Sequence, residues 1–314
     1  MSNLHYQHEG LETIADFIRW GATLFEQAGL VYGHGTDNAF DEARFLLFSH
    51  LQLPWELPEL YWHGRLSLPE RVAVTELFRQ RIETRKPAAY LVGEAWFAGL
   101  KFKVNEQVLV PRSPIGELIQ REFDGWVDPQ RTTRVLDLCT GSGCIGIACL
   151  QALPHARVDL ADISPAALQV AEENIRLHGL EGVARTVQSD LFSNLQGARY
   201  DLIISNPPYV DAIEMAHLPA EFQQEPALGL AAGEDGLDLV RIMLAEAKEY
   251  LTDQGVLIVE VGVSWMNLVD VYPELPFYWF EFERGGEGVF ALNRSELEAF
   301  DDVLQQRKFR EVKA

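Results

Sequence analysis

The sequence predicts an α/β protein: a doubly wound, Rossmann-like domain with a mostly parallel sheet and an antiparallel last strand, preceded by a small helical domain and a β-hairpin linker. Three observations predict it. The first ninety residues place apolar side chains at helical spacing, residues 94–110 alternate aromatic and β-branched positions, and the chain beyond Pro129 repeats strand, turn and helix. The expected division is 1–92 for the helical domain, 93–112 for the hairpin and 113–314 for the doubly wound domain.

In the first domain Leu11, Ile14, Ala15, Ile18, Ala22 and Phe25 recur every 3.6 residues, as do Ala43, Leu46, Leu47, His50 and Leu51. A third helix starts at Ser67, which can close a capping box with Glu70, tolerates Pro69 in its first turn, and runs to about Arg85. Its Arg71, Arg79, Arg81, Arg85 and Lys86 read as a solvated face paired with Glu76 and Glu83, with contact to RNA as the sharper alternative. The hairpin is expected to carry Phe97, Leu100, Phe102, Val104, Val108 and Val110 around a turn at Asn105-Glu106. Then come the strands RVLDLC, RVDLAD, RTVQSD, YDLIISN and GVLIVEVG, with helices ending near Leu153 and His178, near Leu237 to Leu251 and near Trp265 to Val271. FYWFEFE and GVFAL are joined by only Arg284-Gly285-Gly286-Glu287-Gly288. That link is too short for a helical crossover, so the pair is expected to be antiparallel.

With 314 residues, 47% hydrophobic and 23% charged, the chain can bury a substantial core and lacks the bias of a disordered protein. No apolar run reaches the ~18 residues of a membrane span. The opening MSNLHYQHEG has no cationic patch leading into an apolar stretch, so export is not expected and the cytoplasm is the expected compartment. Cys139, Cys144 and Cys149, odd in number and five apart, fit neither a disulfide framework nor a metal site. Twenty-six Lys and Arg against 47 Asp and Glu give a net charge of −21, which repels phosphate backbones and favours a basic partner. Fifteen of those acids fall between Asp211 and Glu283, against Arg241 and Lys248 alone.

The first candidate site is Asp137-Leu-Cys-Thr-Gly141-Ser-Gly143-Cys, leaving one strand and entering a helix. Glycines let backbone turn tightly and approach a ligand, and helix N–H groups face an anion. Twenty-one residues past Gly141, Asp162 ends the next strand, where a carboxylate accepts from both hydroxyls of a ribose. Together they outline a nucleoside site. Gly141, Gly143 and Gly146 also fit a dinucleotide pattern, which leaves NAD open on this motif. The second candidate is Asn206-Pro207-Pro208-Tyr209, directly after YDLIIS. A planar amide or arylamine nitrogen is a poor nucleophile and must be held still. An Asn oxygen and a proline-rigidified carbonyl can accept its two N–H bonds while a Tyr ring packs on its plane, which suits methyl transfer.

DLCTGSGC, Asp162, the SDLF at Ser189 to Phe192 and NPPY, in that order, resemble S-adenosylmethionine-dependent methyltransferases that modify amino groups. The helical N-terminal domain, the hairpin and LVPRSPIGEL narrow the resemblance to the HemK-like protein-(glutamine-N5) methyltransferases, over about Ala15 to Leu292. Release-factor enzymes of that family resemble PR-x-x-T-E after the hairpin. Here Pro111-Arg112-Ser-Pro114 continues with Ile115-Gly116. That departure, with YGHGTDN at Tyr32 to Asn38 and AYLVGEAWFAGLKF at Ala89 to Phe102, looks like the PrmB-type branch, which acts on the third protein of the large ribosomal subunit.

The resemblance implies that the helical domain recognises substrate, and that S-adenosyl-L-methionine is the cofactor, leaving as S-adenosyl-L-homocysteine. It implies that Thr140, Gly141, Ser142, Gly143 and Cys144 line the methionine part, that Asp162 holds the ribose, that Asp190 and Leu191 flank the adenine, and that Asp137 and Ile163 also belong to the cofactor site. Asn206, Pro207, Pro208 and Tyr209 would be catalytic, with Asn206 also binding the cofactor, and Arg112, Glu225 and Pro226 would contact substrate. The implied partner is a basic ribosomal protein, with no DNA, no membrane, and RNA met only through a ribosome precursor. The rival readings are release-factor glutamine methylation, a nucleic-acid adenine or guanine amino-methyltransferase, and a catalytically silent assembly factor.

Overall fold

The computed structural model describes residue 6 and residues 9–309; the opening stretch MSNLHYQHEG, read above for a leader, falls mostly outside them. The chain divides into two compact units. The first comprises the residues up to Ala95, Val104–Glu106 and Leu218–Glu225; the second holds Trp96–Lys103, Gln107–His217 and the residues from Pro226 on. The division is therefore discontinuous, where the sequence reading drew single boundaries at 92 and 112.

The first unit is built on α1 (Ile14–Ala28), α2 (Ala39–His50), α3 (Leu68–Thr84) and the short α4 (Ala88–Val92). Capping boxes start α1 (Thr13 with Asp16) and α3 (Ser67 with Glu70), and the Asn38 side chain accepts from the Asp41 N–H at the start of α2. Phe17, Ile18, Phe25, Ala43, Leu46, Val74 and Phe78 are buried between the helices. Gly21 admits Phe78 so closely that a Cβ would come within 2.5 Å of its ring.

The basic helix α3 departs from the solvated face expected of it. Arg79 does pair with Glu76 and Glu83 on the surface. Arg81, however, is fully buried: its Nε donates to Glu42 Oε1 at 2.6 Å and its Nη2 to the Val31 carbonyl at 3.2 Å, with Glu221 Oε1 at 3.7 Å from Nη1. Arg85 also reaches Glu221 Oε1, at 3.2 Å. The cause is position: Arg81 shares the buried face of α3 with Val74, Leu77, Phe78 and Ile82 and meets a carboxylate there. The YGHGTDN loop receives the same returning segment. Glu221 Oε1 accepts from the Val31 N–H, the Phe222 and His34 rings lie 4.2 Å apart, and Glu225 Oε2 is 3.4 Å from His34 Nε2.

The hairpin is β1 (Glu94–Phe97) and β2 (Leu100–Lys103). Its turn is Ala98-Gly99, both at positive φ, and not Asn105-Glu106 as expected from the sequence. Two consecutive left-handed residues are what a tight two-residue hairpin requires, and Gly99 adopts that conformation without strain.

The second unit proceeds through α5 (Ile115–Gln120), β3 (Arg134–Leu138), α6 (Cys144–Ala152), β4 (Arg157–Asp162), α7 (Pro165–Leu177), β5 (Ala184–Gln188) and β6 (Tyr200–Ser205). It continues with α8 (Ala212–Met215), α9 (Asp238–Glu246), β7 (Leu251–Glu260), α10 (Trp265–Val271), β8 (Tyr278–Trp279), β9 (Val289–Asn293), α11 (Arg294–Ala299) and α12 (Asp301–Gln306). Seven strands form one sheet in the order β5-β4-β3-β6-β7-β9-β8, parallel from β5 to β7 and with β9 antiparallel to both its neighbours. The fold class is the one the sequence predicts. Apolar layers cover both faces, one around Ile147, Leu160 and Ile204, the other around Leu136, Leu244 and Leu257.

FYWFEFE supplies only Tyr278–Trp279 as strand. Beyond Phe280 the chain leaves the sheet, because Glu117 accepts from the Glu283 and Arg284 N–H groups and Gly285, Gly286 and Gly288 take positive φ. Strand order reverses between β3 and β6, so the loops at their carboxyl ends part and open a crevice there.

Candidate functional site

The crevice holds a cavity of about 320 Å3. Its walls come from the carboxyl ends of β3, β4, β5 and β6, which brings sequence-distant motifs together. The register places Leu138 beside Ser205, and the Ser205 hydroxyl donates to the Leu138 carbonyl at 2.7 Å. That staple sets the glycine loop after β3 next to the Asn-Pro-Pro-Tyr segment after β6.

The glycine loop is shaped from behind by Asp137. Its Oδ2 accepts from the Thr140 hydroxyl at 2.5 Å and the Gly146 N–H at 2.8 Å, fastening the loop to the first turn of α6. Gly146 must be glycine: a Cβ would lie 2.3 Å from Leu160 Cδ2 and 2.9 Å from Asp137 Cβ. Gly143, at φ +80°, turns the chain into the helix. Asn174, fully buried on α7, donates to the Ser142 carbonyl at 2.9 Å and exchanges bonds with the Lys103 backbone, so α7, the glycine loop and β2 form one support. Burial pushes the Asp137 carboxyl up to about 7, against the opposing pull of its two hydrogen bonds.

Asp162 ends β4 with both oxygens engaged, Oδ2 accepting from the Gly141 N–H and Oδ1 from the Ser164 N–H, each at 2.9 Å. Each carboxylate oxygen retains acceptor capacity. Burial raises its pKa above the ordinary range. Beyond β5, Ser189 donates to the Leu191 carbonyl at 2.6 Å and holds Leu191 at positive φ, with Phe192 stacked on Tyr250 at 4.5 Å.

Of the residues singled out in the sequence, Gly141, Asp162, Ile163, Asp190, Leu191, Asn206, Pro208 and Pro226 line the cavity. Asp137, Thr140, Ser142, Gly143 and Cys144 lie buried behind its wall, and Pro207 is buried within the proline pair. Tyr209 is half-buried, its hydroxyl donating to Glu260 Oε1 at 3.1 Å and its carbonyl accepting from Ser264 Oγ at 2.9 Å. Arg112, also half-buried, faces Glu260. Glu225 belongs to the first unit, where its buried carboxylate lies 3.4 Å from His34 Nε2.

Sequence reasoning missed two groups. Val108 and Leu109 line the cavity, yet the alternation of Val108 with Val110 reads as part of the hairpin. Glu260 is buried at the end of β7, and the one signal for it is an acid inside the apolar run GVLIVEVG. A glycine-framed cavity with a carboxylate at one strand end and an Asn-Pro carbonyl pair at another can hold a nucleoside and present a planar amide beside it.

Comparison with known proteins identifies the family. A family model described as "Methyltransferase small domain" matches residues 125–225. The chain is 50% identical over 288 residues to the ribosomal protein uL3 glutamine methyltransferase of Xanthomonas campestris pv. campestris, covering 91% of this chain and 93% of that protein. To the protein of the same name from Francisella tularensis subsp. tularensis it is 44% identical over 297 residues, covering 94% and 95%. Among solved structures, the hMettl16 catalytic domain in complex with MAT2A 3'UTR hairpin 6 is similar at 17% identity and a TM-score of 0.49, over 72% of this chain and 81% of that one.

Proposed function

This chain belongs to the ribosomal protein uL3 glutamine methyltransferases, and we propose that it transfers a methyl group from S-adenosylmethionine to the side-chain amide nitrogen (N5) of a glutamine in uL3. The observation that carries the reading is the meeting of Gly141, Asp162 and Asn206 around one cavity.

The residues present fit the cofactor. A volume of about 320 Å3 lies in the range of small-ligand sites, and Asp162, the carboxylate at the end of β4, suits a ribose diol. Gly141 and the loop to Cys144 would hold the methionine part, Ile163 would cover the ribose, and Asp190 and Leu191 would flank the adenine. Bound there, S-adenosylmethionine supplies a methyl carbon made electrophilic by its sulfonium.

Asn206 Oδ1 and the Pro207 carbonyl accept the two N–H bonds of the glutamine amide. Pro208 stiffens the turn, and the Tyr209 ring packs on the amide plane. Fixing a delocalised nitrogen in this way is the main catalytic contribution of the chain; the methylated nitrogen loses its proton late, so orientation and electrostatics outweigh base catalysis. Arg112 and Pro226 contact the substrate beside this cradle, and Glu225 orders the segment leading to Pro226.

The partner is the basic uL3, met free or in a ribosome precursor, which is the only route by which RNA comes near. A chain of net charge −21 is suited to a cationic protein and unsuited to DNA. No helix among the described residues is long and apolar enough to cross a membrane. A ribosomal substrate supports the cytoplasm as the compartment of the reaction.

The test is incubation with methyl-labelled S-adenosylmethionine and, separately, uL3, a release factor and total RNA, followed by peptide mass spectrometry. The expected result is a gain of about 14 Da on one uL3 glutamine. An Asn206→Ala variant is expected to lose at least a hundredfold in kcat with cofactor Kd within threefold; the reverse pattern would contradict the role given to Asn206.

A further inference from the structure

Resting on the reading that the Tyr209 ring packs against the substrate amide, we infer that Glu260 is a positioning residue that tethers Tyr209 through its hydroxyl and fixes the ring for turnover. Glu260 is the last residue of β7. Its backbone is held on both sides, because Val259 pairs with Ser205 of β6 and Glu260 itself with Val289 of β9. The carboxylate at the end of this rigid arm is 4% exposed. It joins two distant segments: Oε2 accepts from the Ser113 hydroxyl at 2.5 Å and Oε1 from the Tyr209 hydroxyl at 3.1 Å.

Tyr209 is constrained from other directions as well. Ser264 Oγ donates to its carbonyl, a Cβ on Gly236 would come within 2.3 Å of that same oxygen, and a Cβ on Gly262 would fall 2.5 Å from the ring. These contacts fix the backbone and one ring face; the Glu260 bond fixes the far end of the ring. A ring that packs on a planar amide contributes only at the right tilt, and holding it there beforehand removes an ordering cost from the reaction step. Stability does not explain the carboxyl. An apolar side chain at a buried strand end is usually as stable or more so, since a buried ion must be desolvated.

The groups facing Glu260 are Ser113 and Arg112 from the segment ahead of α5, and Tyr209 from the loop after β6. Burial pushes its carboxyl up to about 7, with both hydroxyls and Arg112 acting the other way. Ionisation near neutral pH therefore strengthens the tether, and kcat is expected to rise through an inflection near pH 7.

The experiment is a double-mutant cycle on the full-length enzyme with uL3 as substrate. Glu260→Leu, which keeps the site apolar, is expected to lower kcat by at least about tenfold, the lower end of what one hydrogen bond to a charged group contributes, with cofactor Kd within twofold. Tyr209→Phe is expected to lose a similar factor, and the double variant no more than Tyr209→Phe alone. Glu260→Gln, which can still accept from the tyrosine hydroxyl, is expected to stay within about threefold of wild type and to lose the inflection near pH 7. Full activity in Glu260→Leu, a tenfold loss that persists in the Tyr209→Phe background, or a glutamine variant no better than leucine would each overturn the inference. Failure of the underlying site reading is separable: it would appear as wild-type turnover in Asn206→Ala, whatever Glu260 does.

Discussion

Replacing Asp162 by alanine is expected to weaken S-adenosylmethionine binding about tenfold to 150-fold while leaving kcat at saturating cofactor within about threefold. The magnitude follows from the carboxylate's surroundings. Each oxygen already accepts one backbone N–H, from Gly141 and from Ser164, so each has capacity left for one ribose hydroxyl. A hydrogen bond to a charged group contributes about 1.5–3 kcal/mol, and a full diol contact would double that. Burial already disfavours the ionised carboxyl in the free protein, so its removal also relieves a desolvation cost. The net loss is taken as roughly one bond's worth, and at about 1.4 kcal/mol per factor of ten this gives the stated range. Isothermal titration calorimetry of wild type, Asp162→Asn and Asp162→Ala measures it directly, with asparagine intermediate because it keeps one acceptor oxygen. An unchanged isotherm would remove Asp162 from the cofactor site, and a collapse of kcat at unchanged affinity would move it to the chemical step.

Two further outcomes concern the scaffold. Arg81→Met leaves the buried Glu42 carboxylate without its cation, and Glu221 with Arg85 alone, and is expected to cost about 3–5 kcal/mol of unfolding free energy, read as a lower urea midpoint; a loss below about 1 kcal/mol would contradict the pairing. Asp137 keeps its proton up to about pH 7 in the folded protein, whereas an unfolded aspartate loses it near 4. The contribution of Asp137 to unfolding free energy therefore falls as pH rises from about 4 to 7 and levels off above. Asp137→Asn is expected to reduce that slope, leaving the similar contribution of Glu260; urea titrations across the window that show parallel curves would refute it.

Local signals account for what was legible. The strands of the sheet are short apolar runs at regular intervals, and the glycine loop with Asp162 twenty-one residues later needs no tertiary information. Contacts between distant segments were the illegible part. Arg81 looks like one more cation on a basic helix until Glu42, 39 residues away, is known to face it, although its place on the apolar side of α3 was a clue. Glu260 hides in an apolar strand because its partners, Ser113 and Tyr209, lie 147 and 51 residues away. The hairpin turn was misplaced because Asn105-Glu106 has turn composition, whereas Ala98-Gly99 has the geometry. Helices α11 and α12 went unread, being short and acidic with only Leu297 and Leu304 buried.

The returning segment Leu218–Glu225 has a consequence for how the protein can be made and rebuilt. In the first unit Glu221 pairs with Arg81 and Arg85, and Phe222 and Glu225 pack against His34, yet these residues leave the ribosome only after β3 to β6 have been synthesised. On a nascent chain the amino-terminal helices therefore wait, with one of their buried ion pairs incomplete, for a stretch translated more than a hundred residues later. For the engineer, the helical module cannot be exchanged between relatives by a single cut near residue 95; a chimaera has to carry three pieces, the helices, Val104–Glu106 and the eight-residue tie that completes them.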